Sequence, residues 1–182
     1  MRTLSSSFFM SLDGVVDSPH DWHFPYVEEQ MMAVVGETLA SADALLLGRR
    51  TYEEWAASWP LRPSDGGMTD YMNDTPKYVA SRSLETLEWQ NSTLLEGDVA
   101  AAVGGLKRQP GKDIAISGSG TLVRSLLHAG LIDELRLLVH PILVGSGKRL
   151  FEAGGEPKGL ELVESRTLGV GVLSLTYRPA GG

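Results

Sequence analysis

Short apolar runs that alternate with helical stretches constrain the fold of this chain more than any other feature. Residues 44–47 (Ala-Leu-Leu-Leu), 77–80 and 113–116 are short and largely apolar, and each is followed by glycine or serine. Such runs are typical of strands buried on both faces, as in parallel sheets. The helical stretches between them would cover both faces of the sheet. The sequence therefore predicts a three-layer α/β fold with a mainly parallel central sheet.

The remaining elements fit this pattern. Residues 3–10 predict a first strand, and residues 134–144 predict a long strand in which Pro141 indicates a bulge or an edge. Alternating apolar residues at 160–163 and 170–177 predict a C-terminal antiparallel hairpin. Helices are predicted over residues 25–39, 51–57, 98–108 and 121–128, and a surface loop over residues 60–74.

Composition excludes several classes of function. With 16 Lys and Arg against 23 Asp and Glu, the chain carries a net charge of −7, which argues against binding to nucleic acid or to a membrane surface. The absence of cysteine excludes disulfides, thiol nucleophiles and cysteine-ligated metals. The apolar stretch at the N-terminus is too short for a signal sequence, so we expect a cytoplasmic protein. No linker or repeat is visible, so residues 1–182 are predicted to form one domain.

The strongest local motif is Ser117-Gly118-Ser119-Gly120, between a predicted strand and a predicted helix. Glycines let backbone N–H groups approach a ligand, and the following helix N-terminus favours a phosphate group. The alternative is a tight turn that only packs the helix onto the sheet. The full dinucleotide fingerprint is absent because Val123 stands where the third glycine belongs.

A second glycine motif, residues 145–148 (Gly-Ser-Gly-Lys), looks like a phosphate loop but lacks its other residues. Ile142 stands where the first glycine belongs, and Arg149 replaces the Ser or Thr that binds magnesium. Neither Ser119 nor Ser146 has the flanking glycines of a hydrolase nucleophile. Nucleotide hydrolysis is therefore excluded, and the nucleophile elbow of hydrolases is missing.

Arginines follow two of the predicted strands. Arg49 and Arg50 come directly after Gly48, and Arg82 follows the next strand. Ligands of open α/β sheets bind at the carboxyl ends of the strands, where a guanidinium can pair with phosphate oxygens. These arginines predict a cationic pocket, with ordinary solvated side chains as the alternative.

Asp13 ends the first strand within Ser11-Leu12-Asp13-Gly14, where a carboxylate could orient a substrate or relay a proton. The alternative is a simple Asp-Gly turn. Trp22, in the loop that follows, is predicted to cover a ligand, whereas Trp55, Trp59 and Trp89 are assigned to packing.

The histidines predict no metal site. His20 and His23 lie in a loop between prolines without a further ligand cluster, and His128 is most simply a surface residue near a helix C-terminus. His140, within a strand, fits either the core or a site.

The order and spacing of the motifs resemble the dihydrofolate reductase-like fold. The resemblance is greatest to the branch that contains the reductase domain of the bifunctional riboflavin-biosynthesis deaminase/reductase. The blocks that carry it are residues 11–14, 43–53, 117–120, 130–135 and 141–147. Deamination itself is excluded, because the deaminase half of the bifunctional enzyme needs a zinc ion held by cysteines, which this chain lacks.

This resemblance implies a reductase that uses NADPH. The cofactor would contact Gly48, Arg49, Thr51, Ser81, Arg82, Gly118, Ser119, Gly120 and Thr121, and two arginines would suit its 2′-phosphate. Asp13, Gly14 and Val16 would line the mouth for nicotinamide and substrate, and Asp13 would be the catalytic residue.

The substrate implied is 5-amino-6-(5-phosphoribosylamino)uracil, reduced at the open form of its ribose. Alternatives are dihydrofolate or another carbonyl or imine, and a non-catalytic nucleotide-binding module. Folate-reducing members carry an acidic residue on the first long helix, where this chain has Glu28 and Glu29. We also expect a homodimer, formed through strand 134–144 and the C-terminal hairpin.

Overall fold

The fold is organised around one eight-stranded sheet in the part of the chain that the structure describes, residues 1–152 and 157–180 of a computed structural model. The strand order is β4-β3-β2-β5-β1-β6-β8-β7, and all neighbours are parallel except β8, which is antiparallel to β6 and β7. The strands are β1 (Leu4–Ser11), β2 (Ala42–Gly48), β3 (Lys77–Ala80), β4 (Ser92–Leu94), β5 (Asp113–Ile116), β6 (Glu134–His140), β7 (Leu160–Thr167) and β8 (Leu173–Pro179). The predicted parallel sheet with a C-terminal antiparallel hairpin is confirmed.

Helices cover both faces of this sheet. They are α1 (Glu29–Ser41), α2 (Arg49–Ala56), α3 (Met68–Asp74), α4 (Val99–Arg108) and α5 (Gly120–His128). Helices α4 and α5 pack on one face against Leu46 and Ile116. Helices α1, α2 and α3 pack on the other face, against residues that include Leu45 and Leu138.

The central strands are buried on both faces, as their sequence predicts. In β2, Leu45, Leu46 and Leu47 are each at most 1% exposed although they alternate between the two faces. A side chain of this type gains about 1.5–3 kcal/mol when it is fully buried. The apolar runs of the sequence therefore mark the middle of the sheet, and its carboxyl edge follows directly after them.

The predicted loop over residues 60–74 is wrong in its second half, which forms helix α3. The carboxylate of Asp65 accepts hydrogen bonds from the backbone N–H groups of Gly67 (2.8 Å) and Thr69 (3.1 Å) and thereby stabilises the start of the helix. Met72 then anchors the helix in the core. The strand predicted over residues 134–144 is also too long, because β6 ends at His140, immediately before Pro141.

A buried lysine fastens α3 to the sheet. Lys77, in β3, is 0% exposed, and its Nζ donates hydrogen bonds to the carbonyl oxygens of Met72 (2.9 Å), Asn73 (3.0 Å) and Thr75 (2.8 Å). The same Nζ lies 4.3 Å from the centre of the Trp89 ring. Lys77 therefore satisfies carbonyl groups at the C-terminal end of α3 that have no partner within the helix.

Candidate active site

Two glycine turns meet at the carboxyl edge of the sheet. Strands β2 and β5 are neighbours, so the turns that follow them touch, and the N–H of Gly48 lies 3.3 Å from the carbonyl oxygen of Gly118. A Cβ at Gly48 would lie 2.7 Å from Ser119 Oγ, and a Cβ at Gly118 would lie 2.7 Å from Thr51 Oγ1. Gly118 also has a φ of +130°, which favours glycine. A side chain at either position would therefore push the facing hydroxyl away, and glycine allows the two turns to approach this closely.

Each of these turns leads into the N-terminus of a helix. Gly48 precedes α2, and Ser119 caps α5 by accepting a hydrogen bond from the N–H of Leu122 at 3.4 Å. Helix N-termini carry unpaired N–H groups and partial positive charge, which together favour an anion. The edge thus brings two anion-attracting helix ends side by side.

A cavity of about 850 Å³ opens at this edge and extends under α1. Residues of the two turns line its mouth: Arg50, Thr51, Ser117, Gly118, Ser119, Gly120 and Thr121. Its middle lies between α1 and β1 and is lined by apolar groups, among them Phe9, Met31, Val34 and Val35. One end is aromatic and apolar, with Trp55, Trp59 and Met68. A cavity of this size suits a small organic molecule.

Four cations lie near the mouth, where carboxylates that include Glu54 and Glu152 offset part of their charge. Arg50, Arg124, Lys148 and Arg149 all line the cavity. Of these, Arg124 is held in place by the carbonyl oxygen of Leu150 (3.0 Å) and by the Glu152 carboxylate (3.0 Å). Cations at a groove mouth raise the local concentration of an anionic ligand.

The predicted site residues fall into two groups. The first group lines the cavity: Val16, Thr51, Gly118, Ser119, Gly120 and Thr121. Gly48 lies directly behind Ser119 of this group. Arg49, Ser81 and Arg82 do not line it, but they follow strands β2 and β3 at the same edge, where Gly48 pairs with Ala80. Arg49 bonds Glu53 one turn later at 3.0 Å, and Ser81 Oγ accepts the N–H groups of Ser83 and Leu84.

The sequence did not single out Arg124 or Lys148 for this mouth. The motif containing Lys148 lacks the residues of a phosphate loop, yet the fold places Lys148 at the mouth of the cavity. No local pattern distinguishes these cations from other exposed ones: Arg124 is brought to the mouth by helix α5, and Lys148 by the long segment after β6.

Asp13 serves as a fastening between two loops. Its carboxylate accepts hydrogen bonds from Ser11 Oγ (2.6 Å) and from the N–H groups of Val144 (3.0 Å) and Gly145 (2.8 Å). These bonds, that from Ser11 first, lower the pKa of Asp13 from 3.8 to about 2. Asp13 is outside the cavity lining and stays ionised near neutral pH. This arrangement disfavours a proton relay, and we assign Asp13 a positioning role.

Further bonds join the same two segments, which we name the first loop (residues 12–18) and the clamp loop (residues 141–150). Leu12 N–H donates to the Ile142 carbonyl (2.9 Å), and Val16 N–H donates to the Lys148 carbonyl (2.9 Å). Gly14 accepts a bond from the N–H of Leu150 at 3.0 Å. The clamp loop thereby holds Val16 against the cavity, and Gly14 lies at the joint rather than in the lining.

An aromatic cluster supports the first loop from below. His140 is 0% exposed, its Nδ1 lies 2.8 Å from the Leu138 carbonyl oxygen, and its ring packs edge-on against Phe9, Trp22 and Tyr26. Burial lowers the pKa of His140, so its ring is neutral at physiological pH. Of the two places predicted for His140, the core is the observed one.

Trp22 is part of this cluster and lies outside the cavity lining. The indole is 7% exposed, and its Nε1–H donates to the Asp17 carbonyl oxygen at 3.1 Å. The prediction from sequence fails here because a loop tryptophan is packed beneath its loop by His140. His23, by contrast, does line the cavity, and its ring stacks on Phe9 at 4.7 Å between centroids.

The acidic residues at the start of α1 do not reach the cavity. Glu28 Oε1 accepts a hydrogen bond from the N–H of Gly169 at 2.7 Å and so attaches α1 to the β7–β8 turn. Glu29 is outside the lining, and α1 faces Phe9 with Met31 and Val34. The acidic residue that would bind a pteridine is therefore missing from this part of the cavity.

The other predicted roles can be placed briefly. Trp89 is buried in the core, while Trp55 and Trp59 pack against the core and also border the cavity. Within the described ranges, no three His, Asp or Glu side chains are grouped closely enough to hold a metal ion. No helix of the described residues is long and apolar enough to cross a membrane.

The sheet order, the C-terminal hairpin and the paired glycine turns define the dihydrofolate reductase-like class of α/β folds. Within that class, the chain belongs to the RibD C-terminal domain family, whose model matches residues 2–174. A curated relative is the uncharacterized protein YyaP of Bacillus subtilis strain 168, 30% identical over 182 residues, or 97% of this chain and 94% of that protein.

Solved structures share the fold at lower identity. A putative riboflavin biosynthesis protein from Shewanella sp. PV-4 matches with a TM-score of 0.77 and 20% identity over 98% of this chain and 99% of the other. A second match, with a TM-score of 0.68 and 14% identity, is the diaminohydroxyphosphoribosylaminopyrimidine deaminase/5-amino-6-(5-phosphoribosylamino)uracil reductase of Thermotoga maritima. The match covers 98% of this chain and 57% of the other. Enterococcus faecalis dihydrofolate reductase, in complex with NADP(H) and RAB-propyl, matches with a TM-score of 0.66 and 16% identity. The match covers 98% of this chain and 97% of the other.

Proposed function

We propose that this chain is an NADPH-dependent reductase of a small heterocyclic substrate, most like 5-amino-6-(5-phosphoribosylamino)uracil. The observation that carries the proposal is the pair of glycine turns, with two helix N-termini, at the mouth of one cavity. Membership of the RibD C-terminal domain family supports a reductase, and so do the reductase names of the Thermotoga and Enterococcus proteins. The complex of the Enterococcus protein with NADP(H) supports the choice of cofactor.

The residues at the carboxyl edge fit such a cofactor. The close approach of Gly48 and Gly118 leaves backbone N–H groups open, and the N-termini of α2 and α5 would attract a pyrophosphate. Arg49 and Arg82, with Ser81 between the two strands' ends, would hold the 2′-phosphate that distinguishes NADPH from NADH. When bound, NADPH supplies a hydride. The lining residues Val16 and Thr121 would border the nicotinamide end.

The chain itself would mainly position the substrate and exclude water. Phe9 and His23 offer flat rings beside the middle of the cavity, which suits a planar heterocycle. The neutral, buried cluster around His140 holds those rings rigid. Asp13 would fix the first loop over the reacting centre rather than exchange a proton with it.

A pyrimidine is favoured over dihydrofolate because of Glu28. Its carboxylate is engaged with Gly169, away from the cavity, and the neighbouring α1 positions that face Phe9 are apolar. The acidic partner that folate-reducing relatives of the fold would offer a pteridine is therefore missing from these positions. Reduction of another carbonyl or imine compound stays open as an outcome of the substrate test.

The test begins with titration of NADPH and NADH, monitored by the fluorescence of Trp55 and Trp59 beside the cavity. We expect NADPH to bind more tightly, and Arg82→Gln to reduce that preference by roughly tenfold. Arg108→Gln, at the end of α4 and so at the opposite edge of the sheet, is the matched control and should change nothing.

Oxidation of NADPH is then followed with the aminopyrimidine, with dihydrofolate and with a panel of small carbonyl compounds. Turnover of the aminopyrimidine supports the proposal, and turnover of dihydrofolate alone contradicts it. Tight binding without turnover of any compound would favour the non-catalytic nucleotide-binding module.

We also propose that the protein is a homodimer. Strand β7 is exposed along its whole length and includes Leu160 and Leu162, with Leu173 of β8 exposed beside it. Apolar side chains grouped on an edge hairpin favour pairing with a second copy. Light scattering should give twice the chain mass, and Leu162→Lys should give the monomer mass. The cytoplasmic location stays a prediction.

A further inference from the structure

Asp17 is the carboxylate of the first loop that borders the cavity. Asp13, in the same loop, lies outside the lining and is occupied by Ser11 and by backbone N–H groups of the clamp loop. Asp17 comes directly after Val16, the lining residue proposed above for the nicotinamide end. Under that proposal, the first loop brings a carboxylate to the part of the cavity where the hydride is transferred.

The Asp17 carboxylate has no partner among residues 1–152 and 157–180, where only its backbone carbonyl takes part in a hydrogen bond. Other carboxylates of the lining each bond an arginine: Glu37, Glu134, Glu152 and Glu164. Glu54 bonds none, but it is exposed to water, whereas Asp17 is half-buried. A half-buried carboxylate on a cavity wall, with its oxygens unused, is open to a ligand.

The basic groups of this region do not neutralise Asp17. Arg149 pairs with Asp13 instead, donating to its carbonyl oxygen at 2.9 Å and lying 3.6 Å from its carboxylate. Lys148 is exposed to water. Burial, and then the neighbouring His140, lower the pKa of His23 from its ordinary value of 6.5, so that ring is neutral at physiological pH. The Asp17 carboxylate therefore keeps its full capacity to accept hydrogen bonds.

The backbone of Asp17 is held in place by two contacts. Its carbonyl oxygen accepts the Nε1–H of Trp22 at 3.1 Å, and Trp22 is itself packed edge-on against His140. The clamp loop also approaches closely, since a Cβ at Gly147 would lie 3.3 Å from the Cβ of Asp17. A ligand that bonds this carboxylate meets a group that is already positioned, which lowers the entropic cost of binding.

The surroundings of Asp17 favour one kind of ligand. Phe9 and His23, stacked at 4.7 Å between centroids, border the same cavity and suit a planar ring. An ionised carboxylate only accepts hydrogen bonds, and two neighbouring N–H groups can bond both of its oxygens. A ring without such donors would take water away from the carboxylate and return no hydrogen bond, which is costly.

We propose that Asp17 is the specificity-determining carboxylate of this cavity and selects planar substrates that carry neighbouring N–H donors. The two carboxylate oxygens accept hydrogen bonds from these donors and orient the ring toward the nicotinamide end. Carbonyl compounds without amino groups are excluded by the same carboxylate. The inference rests on the proposed reductase, because it assigns the residue that orients that enzyme's substrate.

Calorimetric titration without cofactor tests this assignment with two probes, 5,6-diaminouracil and 5,6-dimethyluracil. Their substituents are similar in size, but only the amino groups donate hydrogen bonds. We expect the diamino compound to bind at least tenfold more tightly. Asp17→Asn should weaken its binding by roughly 10–100-fold, the usual effect of losing hydrogen bonds to a charged group, and should leave the dimethyl compound unchanged.

The matched control is Asp21→Asn, the same substitution a few residues later. Asp21 is outside the lining, and its carboxylate lies 3.5 Å from His20 with a side chain that is 70% exposed. This variant should bind both probes as the wild type does.

Thermal unfolding separates binding from a structural role. The Asp17 carboxylate bonds no described residue, so Asp17→Asn should leave Tm unchanged. A lower Tm with unchanged affinity would show that Asp17 is structural and would overturn the proposal. If Asp17→Asn fails to fold, Asp17→Ser is the second variant and should show the same loss of affinity for the diamino compound.

Three further results would overturn the assignment. These are equal affinities of the wild type for the two probes, no binding of 5,6-diaminouracil at millimolar concentration, and an equal loss for both probes in Asp17→Asn. Because the titration needs no NADPH, a protein that binds the diamino compound through Asp17 but oxidises no NADPH would refute the proposed reductase and leave this assignment intact.

Discussion

Replacing Gly118 with alanine tests how closely the two glycine turns are joined. Alanine at a φ of +130° is strained by about 1–3 kcal/mol. The new Cβ would lie 2.7 Å from Thr51 Oγ1, and relieving such an overlap typically costs about 1–3 kcal/mol. The free energy of unfolding should therefore fall by about 2–6 kcal/mol, a large share of the roughly 5–15 kcal/mol of a typical domain.

Urea denaturation followed by tryptophan fluorescence measures this loss, and a double-mutant cycle separates its two causes. Thr51→Ala removes Oγ1, so in the double variant the overlap disappears while the backbone strain remains. We expect the double variant to recover about 1–3 kcal/mol relative to additivity. Gly36→Ala is the control, since a Cβ there meets no atom within 4 Å and should stabilise α1 by about 0.5–1 kcal/mol. An unchanged free energy of unfolding in Gly118→Ala, or strict additivity with Thr51→Ala, would refute the contact between the turns.

Three further predictions concern single side chains. Lys77→Met should lower the free energy of unfolding by about 2–4 kcal/mol in urea denaturation, because it leaves buried carbonyls unpaired; an unchanged value would contradict that role. Burial lowers the pKa of Lys77 from 10.5 to about 8 in the folded protein. Between these two pH values the unfolded chain binds the proton more tightly than the folded protein does. The stability of the wild type relative to Lys77→Met should therefore rise as the pH increases from about 8 to 10.5. His140, whose pKa burial lowers from 6.5, should cost stability as the pH falls below about 6.5, and His140→Phe should flatten that decline in denaturation curves at several pH values. Asp13→Asn should lower kcat by loosening the first loop. The profile of kcat against pH should keep the same ionisation steps near neutral pH, because Asp13 does not titrate there. The loss of such a step in the variant would instead support a proton relay through Asp13.

The sequence predicts the sheet and the glycine turns because their signals are local. The run Leu45-Leu46-Leu47 predicts a strand buried on both faces. Gly118 marks the turn that follows β5, the buried strand beside it in the sheet. Parallel strands must end at a common edge, so the position of the cavity mouth follows from the order of these runs. The resemblance to the dihydrofolate reductase-like fold adds Thr51 and Thr121 to this edge, and both side chains line the cavity.

The parts that escaped prediction depend on contacts between distant segments. Helix α3 is the exception, because its start depends on local bonds from Gly67 and Thr69 to Asp65, within a stretch whose Gly and Pro content indicates a loop. Trp22 is buried because His140, more than a hundred residues later, lies beneath it. Asp13 is a fastening because the clamp loop brings two N–H groups to its carboxylate. None of these partners can be identified from spacing alone.

A crystal structure of the protein with NADPH tests the central claim most directly. The account predicts the pyrophosphate at the N-termini of α2 and α5, with backbone contacts from Gly118 to Thr121 and the 2′-phosphate beside Arg49 and Arg82. Nicotinamide should lie next to Val16, facing the apolar middle of the cavity. Density for NADPH at another surface, or soaked crystals in which this edge stays empty at saturating concentration, would contradict it.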